Sequence, residues 1–451
     1  MSYKKDFVWG AATSSIQIEG AYRDGGKGLN VWDVFSHEPG KIRDGKTTAV
    51  ACDHYNRYKE DVKLMKELGL NAYRFSINWC RIFPNGVGEV NEEGVKFYSD
   101  LIDELLANGI EPYITLFHWE YPYELHRKGG WLNDESIEWF RDYAAKVVEL
   151  YSDRVTYFIT FNEPQTFVEL GYMFGNHAPG ITSTYKDAFQ IAHNVMRAHG
   201  AAVIAMRAAA KRPIKIGYAP CGNVCFPATE SPEDIEAARQ AYFASPGISK
   251  YVLDSISWWS DPVLLGKYPE DGLARYKDFL PEITEEDMKL IHQPLDFCAQ
   301  NIYYGKEIKA GEDGKPVQVK DPNAPKTTLG WPITPKCLYW GPRFLTERYK
   351  LPFYVTENGT SGNDTVSEDG KIHDEGRISY LSSYLDEYER AVNDGVDIRG
   401  YFAWSFMDNF EWSEGYGPRF GIVYTDYETM ERIPKDSAYW YKNYIETHTE
   451  K

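Results

Sequence analysis

Short apolar runs alternate with stretches in which apolar residues recur every three or four positions. FVWGAAT (Phe7 to Thr13) reads as a first strand. Tyr58, Val62, Met65 and Leu68 then fall on one helical face, and Gly69 stops the helix before a second strand from Leu70 to Ile77. Val95, Tyr98, Ile102 and Leu105 repeat the helical spacing up to Gly109, and Ile110 to Phe117 is a third strand. Ile137, Phe140, Ala144, Val147 and Tyr151 make the next stripe, ahead of a strand from Val155 to Phe161. Ala188 to Ala209 is an alanine-rich helix. Further strands fall at Ile214 to Tyr218, Leu295 to Ile302, Phe353 to Thr356 and Ile398 to Trp404, with Tyr384, Leu385 and Tyr388 on a helix between the last two.

Eight such alternations favour an α/β fold, a single (β/α)8 TIM barrel spanning 1–451 with extended loops at the C-terminal face, over a doubly wound sheet. No GxGxxG follows the first strand and no GxxxxGK[ST] occurs, so the usual nucleotide folds lack their fingerprints. Residues 221–294 and 305–340 exceed simple loops. The first carries a helix near Pro232 to Phe243 and the run Ser257-Trp258-Trp259; the second carries GEDGK and little periodicity. In a barrel such excursions serve the face that builds the site, or they decorate the surface.

Composition narrows the function. At 451 residues the chain buries a large core without staples. A net charge of -18 argues against nucleic acid and against a polybasic membrane anchor. No window reaches the length of an apolar membrane span, and the N-terminus has no apolar leader core, so a cytoplasmic enzyme is expected. The six cysteines form no CxxC and read as small buried hydrophobes in a reducing compartment. The histidines are scattered with no HExxH, so neither a metal nor another cofactor is expected. Aromatic residues reach 15%, and tryptophans sit beside carboxylates, as in His118-Trp119-Glu120 and Glu411-Trp412.

The strongest candidates are Glu163 and Glu357. Glu163 follows VTYFIT within Thr160-Phe161-Asn162-Glu163-Pro164, and Glu357 follows FYVT within Thr356-Glu357-Asn358-Gly359. Either alone reads as a loop charge. As a pair on the ends of strands four and seven they face one mouth, where one carboxyl can donate a proton while the other attacks. Glycoside hydrolysis needs that division of labour. Arg74, inside strand two, requires a carboxylate partner, and barrel geometry offers Glu357; a structural ion pair is the other reading. His118 and Trp119 follow strand three, Gln17 follows strand one, Asn301 ends strand six and Trp404 ends strand eight, with Glu411 and Trp412 just beyond. Amide, carboxylate, imidazole and indole groups suit a neutral polyhydroxy ligand and suit phosphate poorly.

These motifs resemble glycoside hydrolase family 1, the retaining β-glucosidase family of (β/α)8 enzymes. The similarity runs from about Phe7 to Tyr444 through FVWGAATSSIQIEGAYRDGGKGLNVWDVF, TFNEP, YVTENG and AWSFMDNFEWSEGYGPRFGIVYTD. The resemblance implies Glu163 as acid/base and Glu357 as nucleophile. It implies Gln17, His118, Asn162, Glu411 and Trp412 as the grip on the nonreducing sugar, and Trp404 as the platform beneath it. It places Asn301 and Tyr303 beside the nucleophile, with the tyrosine hydroxyl on its carboxylate. Trp331 resembles an outer-subsite tryptophan, and Phe420 a wall near the sugar's primary hydroxyl. The expected partner is a small β-glucoside or short oligosaccharide, and the resemblance leaves room for a homo-oligomer. Three positions depart from the family pattern: Glu120 in HWEYP, Gln165 after NEP, and Ile302 between Asn301 and Tyr303. They bear on leaving-group preference. A 6-phospho-β-glucosidase and a catalytically weak glycan-binding barrel are the rival readings. In the segment Glu411 to Phe420, Glu411 takes the serine position of the phosphate-binding branch and no lysine occurs, leaving Arg419 as its one cation.

Overall fold

A strand with helices on one side and packed side chains on the other has no face for water, so its sequence is apolar throughout. Eight runs of this kind close into one parallel barrel. A computed structural model of the chain describes residues 3–248 and 251–450. The barrel strands are β1 (Val8–Ala12), β2 (Ala72–Ser76), β3 (Glu111–Phe117), β4 (Tyr157–Asn162), β5 (Lys215–Ala219), β6 (Phe297–Asn301), β7 (Phe353–Asn358) and β8 (Ile398–Trp404). Each pairs with its sequence neighbour, and β8 returns to β1 with Val8 opposite Gly400 and Ala12 opposite Trp404. The ends fall within two residues of those read from the sequence, and β8 matches at both.

Inside the barrel, large rings fill the space left by small residues. Tyr113, Phe297, Tyr354 and Phe402 pack with Ala12, Ala72, Ala219 and Ala299. Gly10 and Gly217 are small for the same reason. A methyl group on Gly10 would sit 2.5 Å from the Phe402 ring, and one on Gly217 would sit 2.0 Å from Phe297.

Helices return each strand to the next. The stripe read from Ile137 to Tyr151 lies on the helix Ser136–Tyr151, with all five of its residues buried. The helix read from Ala188 begins earlier, at Tyr185, because Thr184 and Asp187 form a reciprocal capping box. Among the described residues no helix is long and apolar enough to cross a membrane.

The two long excursions meet at the mouth. Pro232–Phe243 is helical as expected, capped by Ser231, and Trp258 and Trp259 are buried on the helix Ile256–Leu265. The interval 305–340 holds strands that the sequence pattern did not reveal. Gly305–Ala310 and Pro316–Val319 form a hairpin, and Gly305–Ala310 also pairs in parallel with Val224–Pro227. The hairpin was hidden because much of it is exposed and polar, so no apolar alternation marks it. This small sheet ties the loop after β5 to the loop after β6, fixing one rim of the mouth.

Candidate active site

Two glutamates reach the mouth from strand ends. Glu163 follows β4 and caps the short helix Pro164–Val168 in a left-handed conformation (φ 43°). Pro164 suits the first helical position, where its missing N–H costs nothing. Glu357 lies within β7, where the pairing with β6 shifts register and sets Glu357 opposite Asn301. Glu357 is 3% exposed, while Glu163 is half-buried.

A chain of hydrogen bonds joins them. Arg74 Nη1 donates to Glu357 Oε1 at 2.6 Å, and Nη2 donates to Asn162 Oδ1 at 2.6 Å. Asn301 Nδ2 donates to Asn162 Oδ1 and to Glu163 Oε1, both at 2.9 Å. Tyr303 donates its hydroxyl to Glu357 Oε2 at 2.7 Å, and Thr166 Oγ1 donates to Glu163 Oε2 at 2.9 Å. The arginine at the centre of the barrel thus has the carboxylate its burial requires. Asn301 flanks Glu357 in the ladder, yet its amide serves Glu163, which the sequence did not indicate.

Burial raises both carboxyls above the ordinary range. At Glu357 the charge of Arg74 and the Tyr303 hydroxyl oppose that rise, while Glu163 adds to it. At Glu163 the opposing contacts are neutral donors, Asn301 and Thr166, followed by Arg74 at longer range and the Cys221 thiol. Two like charges this close titrate as a pair.

Neutral polar groups surround the pair. Asn162 Nδ2 donates to His118 Nε2 at 3.0 Å, because its oxygen is already taken by Arg74 and Asn301. The His118 proton therefore sits on Nδ1, which has no partner. Burial, with Arg74 nearby, holds this imidazole well below its usual value and keeps it neutral. Gln17 donates to Asn409 Oδ1 and Phe410 O and accepts from Ser14 Oγ at 2.6 Å. Glu411 has a buried Oε2 without a partner. Desolvation, followed by the charges of Glu357, Glu163 and Glu414, pushes it up to about 8.

Aromatic rings wall the mouth. Trp404 stacks on His118 at 5.7 Å, and Trp412 lies 4.3 Å from Trp119. The Trp119 indole donates to Asn162 O at 3.0 Å, so it supports its neighbours from behind. Trp331 packs between Tyr303, Tyr304 and Phe420, at 5.3, 5.7 and 5.8 Å. Arg74 lies within β2, and the other site residues singled out from the sequence lie at the C-terminal end of the barrel or on the segments above it.

Residues 1–450 match the model of glycosyl hydrolase family 1. The chain belongs to this family. It is 43% identical over 449 residues to Beta-glucosidase A of Thermotoga maritima, covering 99% of this chain and 98% of that one. It is 44% identical over 455 residues to Beta-glucosidase A of Acetivibrio thermocellus, covering 99% of each. The solved structure of the Thermotoga maritima β-glucosidase in complex with glucoimidazole superposes with a TM-score of 0.90 at 42% identity, over 99% of both chains.

Within this family 1 barrel the departures settle into specific contacts. Gln165 clasps the backbone of Cys221, donating to its carbonyl at 2.6 Å and accepting from its N–H at 3.3 Å. Glu120 is buried behind the site and accepts from the His118 N–H at 3.1 Å. Arg419 is committed away from the mouth: its Nη1 pairs with Asp408 Oδ2 at 2.7 Å and donates to Thr425 O, and the guanidinium stacks over Tyr424 and Tyr427. All six cysteines are free. Five are buried as expected, and Cys221 is the exception, half-exposed beside Thr166. Thr166 drew no reading from the sequence, and Cys221 read only as one more buried thiol. The one signal for Thr166 was its place one helical turn after Glu163.

Proposed function

We propose that the chain is a retaining β-glucosidase acting on terminal nonreducing β-D-glucosyl residues of cellobiose, short cello-oligosaccharides and aryl or alkyl β-glucosides. The observation that carries this reading is the unequal surroundings of two linked carboxyls in one mouth. Glu357 touches a guanidinium and a phenol hydroxyl; Glu163 touches only neutral donors. The charge of the pair therefore favours Glu357, and the proton favours Glu163.

The two steps follow from that assignment. Glu357 attacks the anomeric carbon, the glycosidic C–O bond breaks, and the proton of Glu163 goes to the departing oxygen. Glu163, now ionised, takes a proton from water as its oxygen attacks the same carbon. The ester to Glu357 breaks, and the sugar leaves with its configuration retained. Arg74 and Tyr303 stabilise the carboxylate before attack and after release. Gln17, His118, Asn162, Glu411 and Trp412 hold the nonreducing glucose over Trp404, with Phe420 at the wall. Trp119 acts through Asn162 and Trp412, and Trp331 covers the leaving group. Solved structures of the Thermotoga maritima β-glucosidase are complexes with glucoimidazole in one case and deoxynojirimycin in another, in keeping with this reading. Free thiols throughout go with a reducing cytoplasmic setting.

The 6-phosphate reading is disfavoured by the want of a cation. Glu411 brings a carboxyl rather than a positive group to that wall, and Arg419 is committed to Asp408. The test is leaving-group dependence in Glu163→Gln. Its glycosylation of 2,4-dinitrophenyl β-glucoside is expected to remain far faster than that of an alkyl glucoside, because only the poor leaving group needs the proton. Equal losses on both substrates would remove the acid role from Glu163.

A further inference from the structure

The neutral side of the pair contains a switchable hydrogen bond. Glu163 Oε1 accepts from Asn301 Nδ2, and that bond cannot turn around. The other Asn301 N–H goes to Asn162, and its Oδ1 accepts from Thr356 Oγ1 at 2.7 Å. Oε1 always faces a donor. Oε2 faces the Thr166 hydroxyl, which can donate or accept. Thr166 Oγ1 lies 3.3 Å from Cys221 Sγ, and either of those atoms can be the donor. Gln165 holds Cys221 in place through the backbone, so the thiol is presented to Thr166 from a fixed loop.

We propose that Thr166 is a positioning residue for Glu163, and that the Thr166–Cys221 hydroxyl–thiol pair reverses its hydrogen bonds as Glu163 gains and loses its proton. The inference rests on the acid/base reading of Glu163. When Glu163 is ionised, Cys221 S–H donates to Thr166 Oγ1, whose own hydrogen donates to Oε2. When Glu163 is protonated, the proton sits on Oε2, and the Thr166 hydrogen turns to Cys221 Sγ. Thr166 and Cys221 keep their own hydrogens and only rotate. The one proton that moves leaves Oε2 for the glycosidic oxygen and returns from water. A thiol suits this place because it is weak both as donor and as acceptor, so neither direction is locked. An amide or carboxylate there would fix Thr166 in one sense.

Six titratable or charged groups act on Glu163: Arg74, Glu357, Glu411, Tyr303, Tyr304 and Cys221. Substituting Thr166 leaves all of them in place, so a change in the pH profile reports the hydroxyl. The experiment compares wild type with Thr166→Val, Thr166→Ser and Cys221→Ala in the full chain. It reads the pH dependence of kcat/KM on 4-nitrophenyl β-glucoside and the separate rates of glycosylation and deglycosylation. Thr166→Val is expected to move the basic limb upward by about half to one pH unit, because the ionised carboxylate loses a donor. It is also expected to slow deglycosylation about fivefold to tenfold more than glycosylation of an activated aryl glucoside, since only the base step then needs Glu163. Thr166→Ser restores most of both effects, and Cys221→Ala moves the limb the same way by less. A Thr166→Val profile that superimposes on wild type, or a Thr166→Ser variant as impaired as Thr166→Val, overturns the proposal. If Thr166→Val does not fold, judged by its melting transition, Cys221→Ala decides, and an unmoved limb with an unchanged ratio of steps overturns it. Failure of the function reading looks different: wild type itself would leave 4-nitrophenyl β-glucoside uncleaved.

Discussion

The two sides of the mouth are built differently. Around Glu357 one contact carries a charge: Arg74 is 0% exposed, and the half-buried Tyr303 hydroxyl, with Glu411 further off, completes the surroundings. Around Glu163 they are all neutral, made by the buried Asn301, the half-buried Thr166 and Cys221, and the Gln165 clasp. On the proposed reading one side fixes a charge and the other lets a proton come and go, so that one residue type would serve two chemical ends because the neighbours differ.

Removing the fixed charge breaks the comparison most severely. Glu357→Ala is expected to lower kcat by more than about 10⁴-fold, since no glycosyl-enzyme can form. Added azide or formate should restore part of the turnover of an activated aryl glucoside, with the α-product seen by NMR. Rescue giving the β-product would contradict the nucleophile role.

Arg74→Met comes next, because it leaves Glu357 buried and unpaired. Uncompensated buried charges cost about 3–5 kcal/mol, so a marked drop in melting temperature is expected alongside lost activity. The acid limb of any residual kcat/KM should also move upward, as Glu357 loses the partner that favours its charge. A stable variant with the wild-type limb would mean that Arg74 does not set the ionisation of Glu357.

Glu411 tests how the sugar is gripped. Glu411 can meet two sugar hydroxyls, and a buried polar partner lost from such contacts costs about 1–3 kcal/mol, so Glu411→Ser should weaken kcat/KM for 4-nitrophenyl β-glucoside by about 100-fold. Wild type should prefer that substrate over its 6-phosphate by at least about 100-fold, or roughly 2.7 kcal/mol. The Ser variant should narrow the ratio. A 6-phosphate substrate that ties or wins with wild type would overturn the neutral-glucoside reading.

The mildest effect is on pH. The rate needs Glu357 ionised, so kcat/KM falls as pH drops through its titration. It also needs Glu163 protonated, so kcat/KM falls as pH rises through that one. Both carboxyls are raised by burial, so the whole bell should sit above the ordinary carboxylate range. An optimum near pH 4 would contradict this.

Much of the charged side was legible in the sequence. An arginine inside an apolar strand demands a carboxylate, and two glutamates on matching strand ends supply candidates; Arg74 and Glu357 meet at 2.6 Å. The barrel was legible because each strand is a short apolar run and each long helix carries a stripe. The neutral side was harder to read. Thr166 and Cys221 carry no charge whose burial must be explained, and they come from loops after different strands. Their meeting depends on Gln165, a residue that read only as a departure from pattern. The Gly305–Ala310 hairpin escaped for a related reason, since exposed polar strands leave little periodicity. What the sequence displayed was whatever carried a large free-energy penalty if left unpaired.

The central claim is that the charge on Glu357 helps to keep the proton on Glu163. It is tested most directly by following the Glu163 carboxyl by ¹³C NMR across pH, in the free protein and in the trapped 2-fluoroglucosyl-enzyme. Esterification removes the Glu357 charge while leaving Asn301 and Thr166 in place. The account predicts that the apparent pKa of Glu163 falls by at least about one unit on trapping, which turns the acid of the first step into the base of the second. A Glu163 pKa that stays the same or rises on trapping would contradict it.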